Sequence, residues 1–182
     1  IAVVPPEASD LNQMAALIDN NQPLEAAEIA LDDPGFYDVT LKTMAAPWTN
    51  EAMTPFVPLN DYIATVVGLV RDEADFRTLL YGDVLYVGKS GLGLPAYSPS
   101  SNAHYQALED SGESLKDALE RVSQSSVTGL PAGATAGVIT SRASARAFFS
   151  AGPNRAMFRF PLLNHPCNDL ETVADLTRPP ER

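Results

Sequence analysis

One apolar stretch, from Pro58 to Asp72, constrains the fold more than any other part of the chain. Its large hydrophobic residues follow the 3.6-residue period of an α-helix, and most of its polar residues fall off that face: Leu59, Tyr62, Ile63, Val66, Val67 and Val70. The stretch also contains many β-branched residues, which are typical of strands. Because the period fits a helix at every apolar position, we predict a core-packed helix here.

Three further local patterns give testable expectations. The run from Asp83 to Gly88 (DVLYVG) is short, rich in β-prone residues and bounded by glycines, so it is the best candidate for a strand. A cap at Ser114 followed by apolar residues at helical spacing predicts a helix with this stripe: Leu115, Ala118, Leu119 and Val122. Thr140 or Ser141 is expected to cap another helix, which runs to Phe149.

Other segments with helical period are separated by turns that contain proline or glycine. We therefore predict a mostly α fold, a single compact multi-helix domain over residues 9–176 with at most a short β-hairpin near Asp83. Residues 1–8 are expected to form an extended arm, and residues 177–182 a Pro-rich tail or linker.

Charge and composition restrict the function classes. The 182 residues carry a formal net charge of −11, and the sequence pI is about 4.4. A nucleic-acid surface needs concentrated Lys and Arg, so we expect no nucleic-acid partner. No apolar run reaches the ~18 residues of a membrane span, so we expect no membrane-spanning segment. The sequence begins at Ile1 rather than at Met, which fits a secreted protein whose signal peptide has been removed.

The region from Gly137 to Glu171 is unusual in this acidic chain, because no Asp or Glu occurs between Glu120 and Asp169. Four arginines lie there in two pairs with i, i+4 spacing, and each pair would share a helix face: Arg142 with Arg146, and Arg155 with Arg159. They are candidates for an anion-binding or partner-docking surface that holds carboxylates or phosphates. The alternative is that these arginines form ion pairs with acidic helices of the same chain.

The same region contains His165 and the single cysteine, Cys167, and the only other histidine is His104. A nucleophilic cysteine would need a nearby imidazole to activate its thiolate, so this triplet of residues is a possible ligand or redox site. The alternative is a buried free thiol beside a surface or capping histidine. The sequence has too few soft ligands for a structural metal site and contains no nucleotide-binding or hydrolase motif, so we predict no catalytic residue and no metal.

Long stretches of the chain resemble a known family. The segments PWTNEAMTPFVPLNDYIATVVGLVRDE and FRTLLYGDVLYVG, and the block LPAGATAGVITSRASARAFFSAGPNRAMFRFPLLNHPCNDLETVADLTRPPER, are similar to secreted bacterial proteins of unknown function. Those proteins are related to the cytochrome-associated domains first catalogued in planctomycetes. In that family the last block typically precedes a CxxCH haem-attachment motif, whereas this sequence stops at Arg182.

The resemblance implies a periplasmic or extracellular protein with haem c on a continuation of the chain or on a partner chain. It transfers no catalytic residue, and Cys167 lies where the family has a cysteine without a known role. Our first hypothesis is a non-catalytic helical module of a c-type cytochrome-like protein, which supports electron transfer or assembly with a haem domain or cytochrome subunit. The second is a haem-free structural or interaction subunit, homo- or hetero-oligomeric, of a larger envelope complex or filament. The third is an enzyme that uses His165 and Cys167.

Overall fold

The protein is described by a computed structural model, which covers residues 7–150 and 156–173. Most of the predicted arm (1–8) and the whole predicted tail (177–182) lie outside the described residues. Within them the chain is mostly α with one two-stranded antiparallel sheet, which confirms the predicted fold class.

The elements follow one another with short connections. The α-helices are α1 (Ala8–Asp19), α2 (Pro23–Asp32), α3 (Lys42–Ala45), α4 (Asp61–Arg71), α5 (Thr78–Tyr81), α6 (Ala103–Ser111), α7 (Leu115–Ala118), α8 (Gln124–Thr128), α9 (Arg142–Ser144), α10 (Ala156–Asn164) and α11 (Leu170–Val173). The strands are β1 (Leu85–Gly88) and β2 (Leu119–Val122). A π-helix (Phe36–Leu41) leads into α3, and a 3-10 helix (Ala46–Thr49) follows α3. Further 3-10 turns lie at Ala132–Ala134 and Gly137–Thr140. A second π-helix (Ala145–Ser150) continues directly from α9.

Helix α4 is the centre of the molecule and confirms the helix predicted from the apolar period. All its residues from Asp61 to Leu69 are buried, because the helix is apolar on nearly every side and other elements surround it. The Asn60 side chain caps it by accepting hydrogen bonds from the N–H groups of Tyr62 and Ile63, both at 3.1 Å. The first turn of α4 therefore has a fixed position in the core.

Strand β1 lies against α4 and pairs antiparallel with β2, with Leu85 opposite Val122 and Gly88 opposite Leu119. The predicted strand is thus confirmed, although residues 89–118 lie between the two strands instead of a tight turn. The helix predicted to carry Leu119 and Val122 is wrong in its second half, since α7 ends at Ala118. Pairing with β1 satisfies the backbone groups of residues 119–122, and this tertiary contact outweighs their helical pattern.

Helices α1 and α2 pack on each other at one end of the chain and leave apolar side chains in solvent. The exposed fraction is 77% for Leu24 and 58% for Ile18, and no residue of α1 is fully buried. None of the helices in the part of the chain that the structure covers has the length and apolar character needed to cross a membrane.

The last helices form a second, smaller core. Of the two predicted caps, Thr140 and Ser141, it is Ser141 that caps α9, and its side chain accepts the N–H of Ser144 at 3.2 Å. The rings of Phe148 and Phe160 stack with centroids 4.8 Å apart and join α10 to the helix that begins at Arg142.

Candidate functional site

The helix that begins at Arg142 is held by a carboxylate that the sequence analysis did not single out. Asp61, the first residue of α4, has no exposed surface. Its Oδ2 accepts the backbone N–H of Arg142 at 2.5 Å, and its Oδ1 accepts those of Ala143 and Tyr62 at 3.0 Å each. One carboxylate therefore contacts the N-termini of two helices, where the helix dipoles favour negative charge.

The surroundings of Asp61 contain groups that raise the pKa of its carboxyl and groups that lower it. Burial raises the pKa of the Asp61 carboxyl above its usual value, while the N–H of Ala143 and the positive charge of Arg142 lower it. The hydroxyl of Tyr97 lies 3.4 Å from Oδ2 and adds a fourth, longer contact. All four partners donate hydrogen bonds, and the Asp61 carboxylate accepts them.

Arg142 and Arg146 both line one cleft of about 590 Å³ between the start of α4, helix α6 and the helix that begins at Arg142. The other polar residues of its wall are uncharged, one hydroxyl and four amides: Thr49, Asn50, Asn60, Asn102 and Gln106. No Asp or Glu belongs to the described residues of this wall. In a chain with net charge −11, the cleft is thus a local region of positive charge.

The guanidinium of Arg142 is only partly satisfied. Its Nη2 donates to Oδ1 of Asn102, and Asn102 in turn donates to the carbonyl of Leu59 at 2.8 Å. The Nε–H of Arg142 is buried and has no acceptor in the described part of the structure. A buried donor without an acceptor is unfavourable by about 1–3 kcal/mol, so the Nε–H of Arg142 is an unsatisfied group in this part of the structure.

The four candidate arginines differ in whether they form an ion pair within the chain. Among residues 7–150 and 156–173, five ion pairs form: Lys42–Glu109, Arg71–Asp72, Arg77–Asp75, Lys116–Asp32 and Arg159–Asp169. Arg159 thus has an internal carboxylate partner, bound through Nε at 2.9 Å and Nη2 at 3.0 Å. Arg142 and Arg146 form no ion pair with a described carboxylate, and Arg155 lies outside the described residues. Of the four-arginine surface, the structure brings Arg142 and Arg146 into one cleft.

His165 is a packed residue. Its Nε2 lies 2.7 Å from the hydroxyl of Tyr62, and the ring of Trp48 meets its ring edge-on with centroids 5.6 Å apart. Burial lowers the pKa of His165 below its usual value, which favours the neutral imidazole. The Tyr62 hydroxyl, whose own pKa burial raises, then donates to Nε2.

Cys167 lies two residues further on, exposed, at a positive φ of 55°. Nε2 of His165 is engaged with the Tyr62 hydroxyl, and no hydrogen bond among the described residues joins the Cys167 thiol to an imidazole. The geometry therefore gives no support to a nucleophilic pair of His165 and Cys167.

His104 is buried, and both of its ring nitrogens have partners. Nε2 accepts the backbone N–H of Gly88 at 2.8 Å, so Nδ1 carries the proton and donates to the carbonyl of Pro95 at 2.6 Å. His104 thus fastens the loop after β1 to helix α6, and neither nitrogen is free to bind a metal. In the part of the chain that the structure describes, no three His, Cys, Asp or Glu side chains come together as metal ligands.

Sequence reasoning identified Arg142 and Arg146 but missed Asp61 and Asn102, which position Arg142. A signal for Asp61 exists, since it is an acidic residue at the start of an otherwise apolar helix. No local pattern marks Asn102, because its contact with Arg142 joins residues far apart in the chain. Comparison of the chain with protein-family models, with curated proteins and with solved structures finds no match.

Proposed function

We propose that this chain is a non-catalytic helical module of a periplasmic or extracellular c-type cytochrome-like protein. It docks a haem-bearing domain or subunit and supports electron transfer or assembly. The observation that carries this proposal is the cleft lined by half-buried Arg142 and exposed Arg146, neither of which has a described carboxylate partner. Haem propionates and acidic protein surfaces are the carboxylate-bearing groups that such a cleft suits.

The haem itself belongs to the partner in this proposal. Covalent attachment of haem c needs two cysteines and a histidine in a CxxCH motif, and this sequence has one cysteine. His104 has no free nitrogen, and Nε2 of His165 is hydrogen-bonded to Tyr62. The contribution of this chain is therefore positive charge at a fixed position, held by Asp61, and not ligation of the iron.

The direct test uses the protein purified from its native source. Intact mass by denaturing mass spectrometry and a visible absorption spectrum are recorded on the same sample. A Soret band that purifies with the chain, either on a longer polypeptide or on a bound subunit, supports the proposal. A mass of 19.5 kDa without any Soret band contradicts it.

A second measurement tests the docking role of the cleft. Arg146→Glu reverses an exposed charge in the cleft, and Lys89→Glu reverses an exposed charge outside it. We expect the first variant to release the haem-bearing partner at lower salt than the wild type, and the second to behave like the wild type. Equal salt dependence for both variants would contradict docking through the cleft.

A second candidate function is a haem-free structural or interaction subunit of a larger envelope complex or filament. It is favoured by the apolar side chains that α1 and α2 expose, because large hydrophobic surface in solvent is typical of protein contacts: Leu11, Ile18, Leu24 and Leu31. Under this function, replacing Leu24 and Leu31 with Asn lowers the oligomeric mass measured by light scattering. Leu130→Asn, at an exposed leucine elsewhere, is the control, and a monomeric wild type rejects the homo-oligomeric form of this candidate.

A further inference from the structure

We infer that the cleft beside α9 is a binding site for a ligand with two carboxylate groups, which Arg142 and Arg146 hold. The inference names the chemical class recognised by the docking site proposed above, and it rests on that proposal for the biological role alone. Its physical basis is the cleft's own charges and hydrogen bonds, as set out below.

The chain contains its own example of how a carboxylate satisfies an arginine. Asp169 accepts from both Nε and Nη2 of Arg159, which form one edge of the guanidinium, at 2.9 and 3.0 Å. At Arg142 the same edge is half occupied, because Asn102 accepts from Nη2 and no described residue accepts from Nε. A carboxylate in the position of the Asn102 oxygen would accept both N–H groups. The Asn102 amide therefore acts as a neutral substitute that a ligand displaces.

Two cations in one cleft favour two carboxylates on one ligand. Arg142 and Arg146 are four residues apart on one continuous helix, both line the cleft, and neither pairs with a described carboxylate. The volume of about 590 Å³ exceeds what a lone carboxylate fills and lies in the range of small-molecule sites. A dicarboxylate of four to six carbons, or the two propionates of one haem, carries charges at a spacing that such a pair of guanidinium groups can reach.

The amides of the cleft wall contribute shape more than charge. The Asn60 side chain already bonds to the N–H groups of Tyr62 and Ile63 and to the carbonyl of Pro58, and the Asn50 amide bonds within its own turn. Selectivity therefore comes from the two arginines, and none of the described lining residues is an acid that would repel an anion.

The backbone of Arg142 is fixed before the ligand arrives. Its N–H donates to buried Asp61 at 2.5 Å, and Asp61 is also bonded to Ala143 and to Tyr62. Because α4 is buried from Asp61 to Leu69, the arginine's helix that it anchors loses little further freedom on binding. We therefore expect a preformed site whose only adjustment is rotation of the Asn102 side chain.

The test follows the Nε–H groups of arginine by ¹H–¹⁵N NMR in the full 182-residue chain, titrated with succinate. We expect a saturable shift of the Arg142 Nε–H signal at millimolar succinate. Binding should weaken about tenfold with propionate, which loses one charged contact of about 1.4 kcal/mol. Arg146→Gln should weaken succinate binding to a similar extent, whereas Arg121→Gln, at an exposed arginine outside the cleft, should leave it unchanged.

Three results would overturn the inference. These are no saturable shift of the Arg142 signal, equal weakening by Arg121→Gln, or inorganic phosphate binding as tightly as succinate. Arg142→Lys retains the charge but removes the two-pronged edge, so it should lose succinate binding while the far-UV circular dichroism spectrum stays native.

The titration and the haem measurement fail independently. If succinate binds but the native protein carries no haem-bearing partner, the proposed function is wrong and the dicarboxylate site stands. If the native protein has such a partner but succinate does not bind, the dicarboxylate inference alone is wrong.

Discussion

Replacing Asp61 with asparagine tests how the candidate site is built into the core. The substitution keeps the size of the side chain and exchanges one acceptor oxygen for an NH₂ group that can only donate. Oδ2 of Asp61 accepts from the N–H of Arg142 at 2.5 Å and faces the hydroxyl of Tyr97 at 3.4 Å. In the variant, whichever way the amide turns, its NH₂ group points at donors.

The size of the effect follows from these contacts. A hydrogen bond to a charged group contributes about 1.5–3 kcal/mol, and a buried donor left without an acceptor costs about 1–3 kcal/mol. Burying the charged carboxylate also destabilises the wild type, and burial is the main cause that raises the pKa of Asp61. The variant is relieved of that cost, so we expect a net loss of about 2 kcal/mol in the free energy of unfolding.

Urea unfolding at neutral pH, followed by circular dichroism, measures this loss. The slope of the free energy of unfolding against urea concentration should stay the same, because unfolding exposes the same surface in both proteins. Glu51→Gln removes one negative charge at an exposed position and serves as the matched control. A loss below about 0.5 kcal/mol for Asp61→Asn, the size of an ordinary surface substitution, would refute the argument that Asp61 anchors the arginine helix.

Three further predictions concern the surrounding core. Gly68→Ala should lower the free energy of unfolding by about 1–3 kcal/mol, because an added Cβ would lie 2.1 Å from the Tyr86 ring; thermal unfolding measures this. Gly137→Ala should lower the free energy of unfolding by about 3 kcal/mol, since φ is +51° and a Cβ would lie 2.0 Å from the carbonyl oxygen of Leu79. Unchanged stability of this variant would contradict the close approach. Burial lowers the pKa of His165, so its imidazole should titrate below about 6.5 by NMR. The imidazole of His165 therefore binds a proton more tightly in the unfolded chain than in the folded one, so the free energy of unfolding should fall as the pH drops below about 6.5. The variant His165→Phe should reduce this fall.

The sequence by itself determined the features that depend on neighbouring residues. The period of the stretch from Pro58 to Asp72 predicted α4, and the run from Asp83 to Gly88 predicted β1. The helix cap was narrowed to Thr140 or Ser141, and Ser141 caps it. These predictions held because helical spacing, β-prone runs and capping act within a few residues. Composition likewise indicated an acidic chain with one stretch free of carboxylates, and that stretch contains both arginines of the cleft.

Only the tertiary structure decided which chemistry these residues have available. Leu119 and Val122 carry a helical pattern, yet they lie in a strand because β1 offers a partner for their backbone. Four similar arginines could not be told apart by spacing. In the structure Asp169 pairs with Arg159, whereas Arg142 donates to the Asn102 amide and lines a cleft whose described wall contains no Asp or Glu. The reason is physical, since charge pairing and burial depend on groups distant in sequence, and a local pattern carries no information about them.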